Sequence, residues 1–379
     1  MTTTVGLVDG HSHLRSTSLD AHGVVGTCLE EALLRMTAMA AVDAEDDAFV
    51  AGCDLVSSGV TGVQVAFHTF QEPEEYLASV DALIRGIKRS HIRALVILMI
   101  TDQAEYLPMG VPRPPALPGL VEPSRGMQAQ EFPDVVRQAI ADHPDIDFGI
   151  GPVAPQWASD ELLKILGELA SPGMRVHAHC LESPLQRDWA GDSLERLRRF
   201  GLLGPQTSLA HCVWASDAEL DLLANLDVAL VTCPESNRLL GSGTPRVREW
   251  SRRGITMAVG MDSATGRPRP VPVAHEVLPT DEALSALTTG GREATGLATN
   301  EDQVEWTDLA TGEVSRVRIG GHLVVEQGRL VLDGECEDAR ERITERVRQD
   351  ERQRAQRQGA LSSIMAEYLQ YVDEGLRGR

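Results

Sequence analysis

Eight short apolar runs separated by amphipathic stretches constrain the fold of this chain more than any other feature. They are Val5 to Val8, Val63 to Phe67, Ala94 to Met99, Phe148 to Ile150, Arg175 to Val176, Ser208 to Ala210, Val228 to Val231 and Thr256 to Val259. Between them, Leu29 to Ala41, Tyr76 to Arg89, Asp160 to Leu169 and Ser193 to Phe200 carry apolar residues at helical spacing. Strand and helix alternating eight times is the pattern of a parallel sheet closed on itself. The predicted class is therefore α/β, and the predicted architecture a (β/α)8 TIM-like barrel. A chain of 379 residues, 42% of them hydrophobic, can bury the core such a barrel needs.

In that fold the chemistry sits at the carboxyl ends of the strands. Four of those ends carry residues of metal-binding type: His11-Ser12-His13, His177-Ala178-His179 with Glu182, His211, and Asp262. Side chains two apart on an extended backbone point the same way, so a His-x-His pair can grip one ion. Neutral imidazoles with one carboxylate suit zinc or ferrous iron, and a mixed set with an open position suits catalysis.

After Gly290 the pattern changes. Val314 to Ile319, Leu323 to Glu326 and Arg329 to Leu332, broken by Gly320-Gly321 and Gln327-Gly328, read as a small antiparallel meander. The expected organisation is a barrel over 1–300, a reduced β-sandwich or meander over 301–335 and a helical extension over 336–379. Glu337 to Arg357 mixes acids and arginines at helical spacing and reads as a solvated helix laced with ion pairs. The stripe Leu361, Ile364, Met365, Tyr368, Leu369 and Val372 needs cover, from the barrel itself or from a second subunit. The proline-rich stretch Met109 to Pro118 reads as a rim loop.

The formal charge of −21 argues against nucleic acid and anionic membrane as partners. No apolar run reaches the roughly 18 residues of a membrane span, and Met1-Thr2-Thr3-Thr4 has no signal-peptide character. Six cysteines without paired spacing fit a reduced, cytoplasmic setting.

Five ordered motifs carry a resemblance. They are Val8-Asp9-Gly10-His11-Ser12-His13, His177-Ala178-His179-Cys180-Leu181-Glu182-Ser183, Leu209-Ala210-His211-Cys212-Val213-Trp214, Cys233-Pro234-Glu235-Ser236-Asn237 with Leu240-Gly241-Ser242-Gly243, and Gly260-Met261-Asp262-Ser263. Together they resemble the amidohydrolase superfamily, in the branch of S-adenosylhomocysteine and methylthioadenosine deaminases, guanine deaminase and the triazine hydrolases. The resemblance implies that His11, His13, His179 and Asp262 hold one divalent metal, zinc first and ferrous iron second. Glu182 is then the proton shuttle, His211 stands beside the activated water, and Asp262 accepts a proton from it. No lysine follows Phe148-Gly149-Ile150, which removes the bridging group of two-metal relatives.

The implied reaction is hydrolytic deamination of a small nitrogen heterocycle with release of ammonia. A hydrolase expelling chloride, thioether or amide nitrogen is the second reading, and a non-catalytic subunit of a split enzyme the third. Candidate substrate contacts are His68 after strand two, Gln156 and Trp157 after strand four, and Arg15 beyond His13; packing is the competing reading for His68 and Trp157. Relatives place half of a β-sandwich before the His-x-His motif, so the strands from Val314 to Leu332 are expected to lack their usual partners. The expectation is a homo-oligomer, or a partner chain that supplies the missing strands.

Overall fold

A computed structural model describes residues 2–24, 28–103, 126–170, 173–190, 192–263 and 265–377. Strand β1 (Thr2–Val5) is followed by eight parallel strands: β2 (Leu7–Ser12), β3 (Val60–Phe67), β4 (Arg93–Ile100), β5 (Asp147–Pro152), β6 (Arg175–Cys180), β7 (Thr207–His211), β8 (Ala229–Thr232) and β9 (Met257–Val259). The eight are hydrogen-bonded in sequence order, with helices between them, as the predicted barrel requires. Val96 and Leu98 of β4 face outward into the cluster that holds Ile84, Ile87, Phe132 and Val136 of the flanking helices. Leu95, Ile97 and Met99 alternate with them into a second cluster with Val8, Ala66 and Val153, as period-two side chains must.

The seam between β2 and β9 is closed by side chain and backbone. Asp9 Oδ1 accepts hydrogen bonds from the backbone N–H of Met261 at 2.9 Å and of His11 at 3.1 Å, and the Asp262 N–H donates to the His11 carbonyl at 2.9 Å. The approach is close enough that a Cβ on Gly260 would lie 2.8 Å from the His11 Cβ and 2.9 Å from Cys233 Sγ. That glycine is what lets the strand carrying His11 and its neighbour meet.

The small sheet is larger than the predicted meander. β10 (Gln303–Asp308), β11 (Glu313–Ile319), β12 (His322–Glu326) and β13 (Arg329–Leu330) form an antiparallel run, and β1 pairs with β10, giving the order β1-β10-β11-β12-β13. The expectation of partnerless strands is corrected: β1 comes from this same chain and caps one side. Thr2-Thr3-Thr4-Val5 gives no separate strand signal because it runs straight into the first barrel strand, with only Gly6 between them.

The charged segment is helical, largely exposed and laced with ion pairs, as read, but one narrow face of it is docked. The helix Asp333–Gln349 buries Cys336, Ala339 and Ile343 against Phe49, Val50 and Cys53 of the helix Ala44–Ser57. Arg342 Nε lies 2.7 Å from Asp46 and Arg340 Nη2 2.7 Å from Asp54, so two of its arginines are docking contacts. Small apolar residues every three or four positions carry this face, and the density of charge around them hid it. The helix Glu351–Arg377 then crosses to the barrel. Leu361 and Met365 are buried in the cluster of Leu34, Val153 and Trp157, and Gln358 Nε2 donates to the Arg35 carbonyl at 3.0 Å. For Leu361, Met365 and Leu369 the cover is thus the chain's own barrel. The side chains of Ile364, Tyr368 and Val372, and the loop Met109 to Pro118, lie outside the described residues.

Candidate metal and catalytic site

The four predicted ends converge. His11 lies on β2, His13 just past it, His179 on β6, His211 at the last position of β7 and Asp262 three residues beyond β9. The histidines therefore sit on the final strand residues more than after them, which makes their supports rigid. His11 Nε2 is 3.2 Å and His13 Nε2 3.3 Å from Asp262 Oδ1, and His13 Nε2 is 3.3 Å from His179 Nε2. His11, His13 and His179 each offer a ring nitrogen within 4.8 Å of the others, and His11 does so with His211, Cys233 and Asp262.

The backbone around these groups is unusual. Leu14, Leu181, His211, Cys212, Asp262 and Ser263 all have positive φ, between 44° and 70°. Left-handed residues other than glycine cost energy and persist only where the surroundings over-determine them. Here they turn the chain sharply at the strand ends that carry the site.

The remaining ring nitrogens fix which nitrogen is free. His13 Nδ1–H donates to the Ala66 carbonyl at 2.9 Å, and His179 Nδ1–H to the Val153 carbonyl at 2.7 Å. Carbonyls accept only, so both Nε2 atoms carry lone pairs, and these face each other across 3.3 Å. Two lone pairs at that distance repel unless a cation sits against both. Burial keeps the His11, His13 and His179 rings neutral by holding their pKa values below the usual imidazole range. Burial raises the Asp262 carboxyl, but the surrounding His11, His13 and His211 more than reverse this and hold it well below the carboxylate range. Three neutral nitrogens and one anion suit a divalent ion such as zinc.

Behind these groups lies a second set of contacts. His11 Nδ1 meets His177 Nε2 at 2.8 Å, and His177 Nδ1 meets Ser208 Oγ at 2.7 Å, so His177 holds His11. His211 Nδ1–H donates to Asn237 Oδ1 at 3.0 Å, which turns Nε2 toward Glu182 Oε2 at 3.6 Å and Asp262 Oδ2 at 4.0 Å. Glu182 is buried; its backbone N–H donates to Gln186 Oε1 at 2.9 Å, and Ser242 Oγ–H reaches its Oε1 at 3.5 Å. Burial pushes the Glu182 carboxyl up to about 7, with the Asp262 and Glu30 charges adding to the rise. Such a carboxyl exchanges protons near neutral pH.

Of the predicted substrate contacts, His68 stands beside the centre, its ring 5.6 Å from His13 and 6.4 Å from His179, with burial lowering its pKa to about 4. Gln156 and Trp157 occupy the single-turn helix Pro155–Trp157 after β5, and both are buried. Arg15 lines a small cavity with Ser12, Asp54 and Ser263 on the β2 and β9 side. Asp9, Gln64, Gln186 and Asn237 received no role from the sequence. Asp9 and Asn237 stood inside the quoted motifs; Gln64, which donates to the Gly10 carbonyl at 2.7 Å, was signalled only as a polar residue in an apolar strand.

A model of the amidohydrolase family matches residues 2–305, and the chain belongs to that family. A 5'-deoxyadenosine deaminase of Methanothermobacter thermautotrophicus is 38% identical over 125 residues, 31% of this chain and 29% of the relative. A 5-methylthioadenosine/S-adenosylhomocysteine deaminase of Aquifex aeolicus is 34% identical over 121 residues, 30% of this chain and 28% of the relative. These matches span less than a third of the relatives' lengths. Among solved structures, an adenosine deaminase from Xanthomonas campestris with bound zinc has a TM-score of 0.71 at 21% identity, covering 90% of this chain and 85% of the other. Atrazine chlorohydrolase from Arthrobacter aurescens complexed with zinc has a TM-score of 0.71 at 18% identity, covering 91% and 88%. At such identities the likeness establishes the shared fold.

Proposed function

We propose that this protein is a metal-dependent aminohydrolase that converts an amino-bearing carbon of a nitrogen heterocycle to a carbonyl, consuming water and releasing ammonia. His11, His13, His179 and Asp262 would hold a single ion, zinc in this reading, with ferrous iron the alternative. When bound, such an ion lowers the pKa of a coordinated water to roughly 7 and so makes a nucleophile available at neutral pH.

The chain's own residues do the rest. Glu182, in its carboxylic acid form, donates its proton to the ring nitrogen next to the reacting carbon. The proton that Asp262 takes from the attacking water passes through Glu182 to the departing amine, and Glu182 is reprotonated by the water of the next cycle. Asp262 takes a proton from the attacking water, and His211, its ring fixed by Asn237, orients that water and steadies the charge that develops at the carbon. The balance is water plus C–NH2 giving C=O and ammonia.

The observation that carries the reading is the pair of facing Nε2 atoms of His13 and His179, 3.3 Å apart, with Asp262 beside them and the buried Glu182 carboxyl 3.6 Å from His211. The deaminase names of the relatives support it. Metal analysis of the purified protein combined with ammonia release across a panel of aminopurines, aminopyrimidines and aminopteridines tests it. Metal together with ammonia is expected. Metal with a different product from chloro- or thioether-substituted rings would replace the deaminase reading with that of another hydrolase.

A further inference from the structure

The seam between the barrel and its C-terminal helices holds a pair of thiols for which the proposed chemistry has no use. Cys53 lies on the helix Ala44–Ser57 and Cys336 near the start of the helix Asp333–Gln349, each 1% exposed and packed in one cluster with Phe49, Val50, Ala339 and Ile343. Their side chains are hydrogen-bonded to each other across that seam. Arg340, one helical turn beyond Cys336, donates from Nη2 to Asp54 Oδ1 at 2.7 Å, and the same nitrogen lies 3.9 Å from Cys336 Sγ. The residue next to one cysteine therefore holds a cation against the other.

The shared hydrogen bond sets the two sulfurs apart. Its bond to Cys336 and burial push the Cys53 thiol up, so Cys53 keeps its proton and donates it. The bond from Cys53, with the Arg340 charge added, draws the Cys336 thiol below its ordinary range against the effect of burial. An activated sulfur with a second sulfur in reach is the arrangement that oxidation converts to a disulfide. A cavity of about 50 Å³ reaches Cys53, and its lining includes Ser90, Leu330 and the exposed His91 and Val331. It has room for a molecule little larger than water.

We propose that Cys53 and Cys336 are an oxidation site, at which hydrogen peroxide joins them in a disulfide that fastens the C-terminal helices to the barrel. The Cys336 thiolate attacks one peroxide oxygen, the O–O bond breaks, and the departing hydroxide takes up the proton that Cys336 released. The Cys53 sulfur then attacks the sulfur of the resulting sulfenic acid, and the Cys53 proton leaves with the hydroxyl as water. Two thiols and one peroxide give one disulfide and two waters. Sulfurs already in hydrogen-bond contact have only to close to about 2.0 Å. The bridge spans about 280 residues of chain, and constraining so long a loop in the unfolded state raises stability. None of this depends on the deaminase reading.

The test treats the zinc-loaded full chain, freed of reductant, with millimolar hydrogen peroxide and compares it with untreated protein by peptide mapping after thiol blocking and by calorimetry. A peptide pair linked through Cys53 and Cys336, lighter by two hydrogens than its separate parts, is expected. The linked protein should melt about 5 °C higher, and dithiothreitol should reverse the shift. Cys53→Ala and Cys336→Ala are each expected to abolish the rise in Tm. Should neither variant fold, the mapping of the unaltered protein decides. Recovery of both cysteines as free thiols, their conversion to sulfinic acids without a link, or a link between Cys180 and Cys212 in place of this one would overturn the assignment.

Discussion

Glu182→Gln separates stability from chemistry at one residue. Burial moves the Glu182 carboxyl from its ordinary 4.5 to about 7, so the folded protein binds a proton that the unfolded chain has already released. Stability from this group is fully present below pH 4.5 and is lost as the pH rises through 7. By pH 8 the loss amounts to about 3 kcal/mol. Glutamine keeps the shape and cannot ionise, so the variant should recover that amount at pH 8 and gain almost nothing at pH 4. With an unfolding entropy of roughly 2.1 cal/mol/K per residue, the recovery corresponds to a Tm about 4 °C higher at pH 8. Metal-stripped protein is the proper sample, because a bound cation would itself favour the carboxylate. Turnover of the zinc-loaded variant should fall by about 10²- to 10⁴-fold with metal content intact. Differential scanning calorimetry at the two pH values, metal analysis and an ammonia assay make the comparison. Full turnover would remove Glu182 from the chemistry, and equal Tm values at pH 8 would show that its carboxyl is not held protonated by burial.

Two further outcomes are expected. Asn237→Ala should reduce kcat by about 10-fold or more with metal content preserved, because it frees the His211 ring without touching a proposed ligand; loss of metal would place Asn237 in a different role. Ile343→Ala, in the buried face of the helix Asp333–Gln349, should cost about 3 kcal/mol and speed amide hydrogen exchange over that helix ahead of the barrel strands. Unchanged exchange there would mean that the helix is held by its arginines alone.

The barrel could be read from the sequence because each of its strands is a short apolar run with a helix after it, and because the proposed ligands fall at or just past strand ends. The small sheet was read in part. β11 and β12 are runs rich in branched apolar residues bounded by glycine turns, whereas β10 carries its signal on Val304 and Trp306 alone. The groups that hold the site residues are mostly illegible, since support is a matter of space: nothing in the spacing says that Gln186, four residues after Glu182, turns back to accept its N–H, or that the Val153 carbonyl lies beneath His179. The docked helix Asp333–Gln349 was masked by its own charge, because a three-residue apolar face built from cysteine, alanine and isoleucine contributes little to any periodic pattern.

The central claim is that His11, His13, His179 and Asp262 share one cation. A crystal structure of the zinc-reconstituted protein, with diffraction recorded on both sides of the zinc absorption edge, addresses it directly. A single anomalous peak about 2.0–2.2 Å from the three Nε2 atoms and the Asp262 carboxylate is expected. No peak among these four residues in a fully loaded sample, or a peak bound elsewhere, would contradict the account.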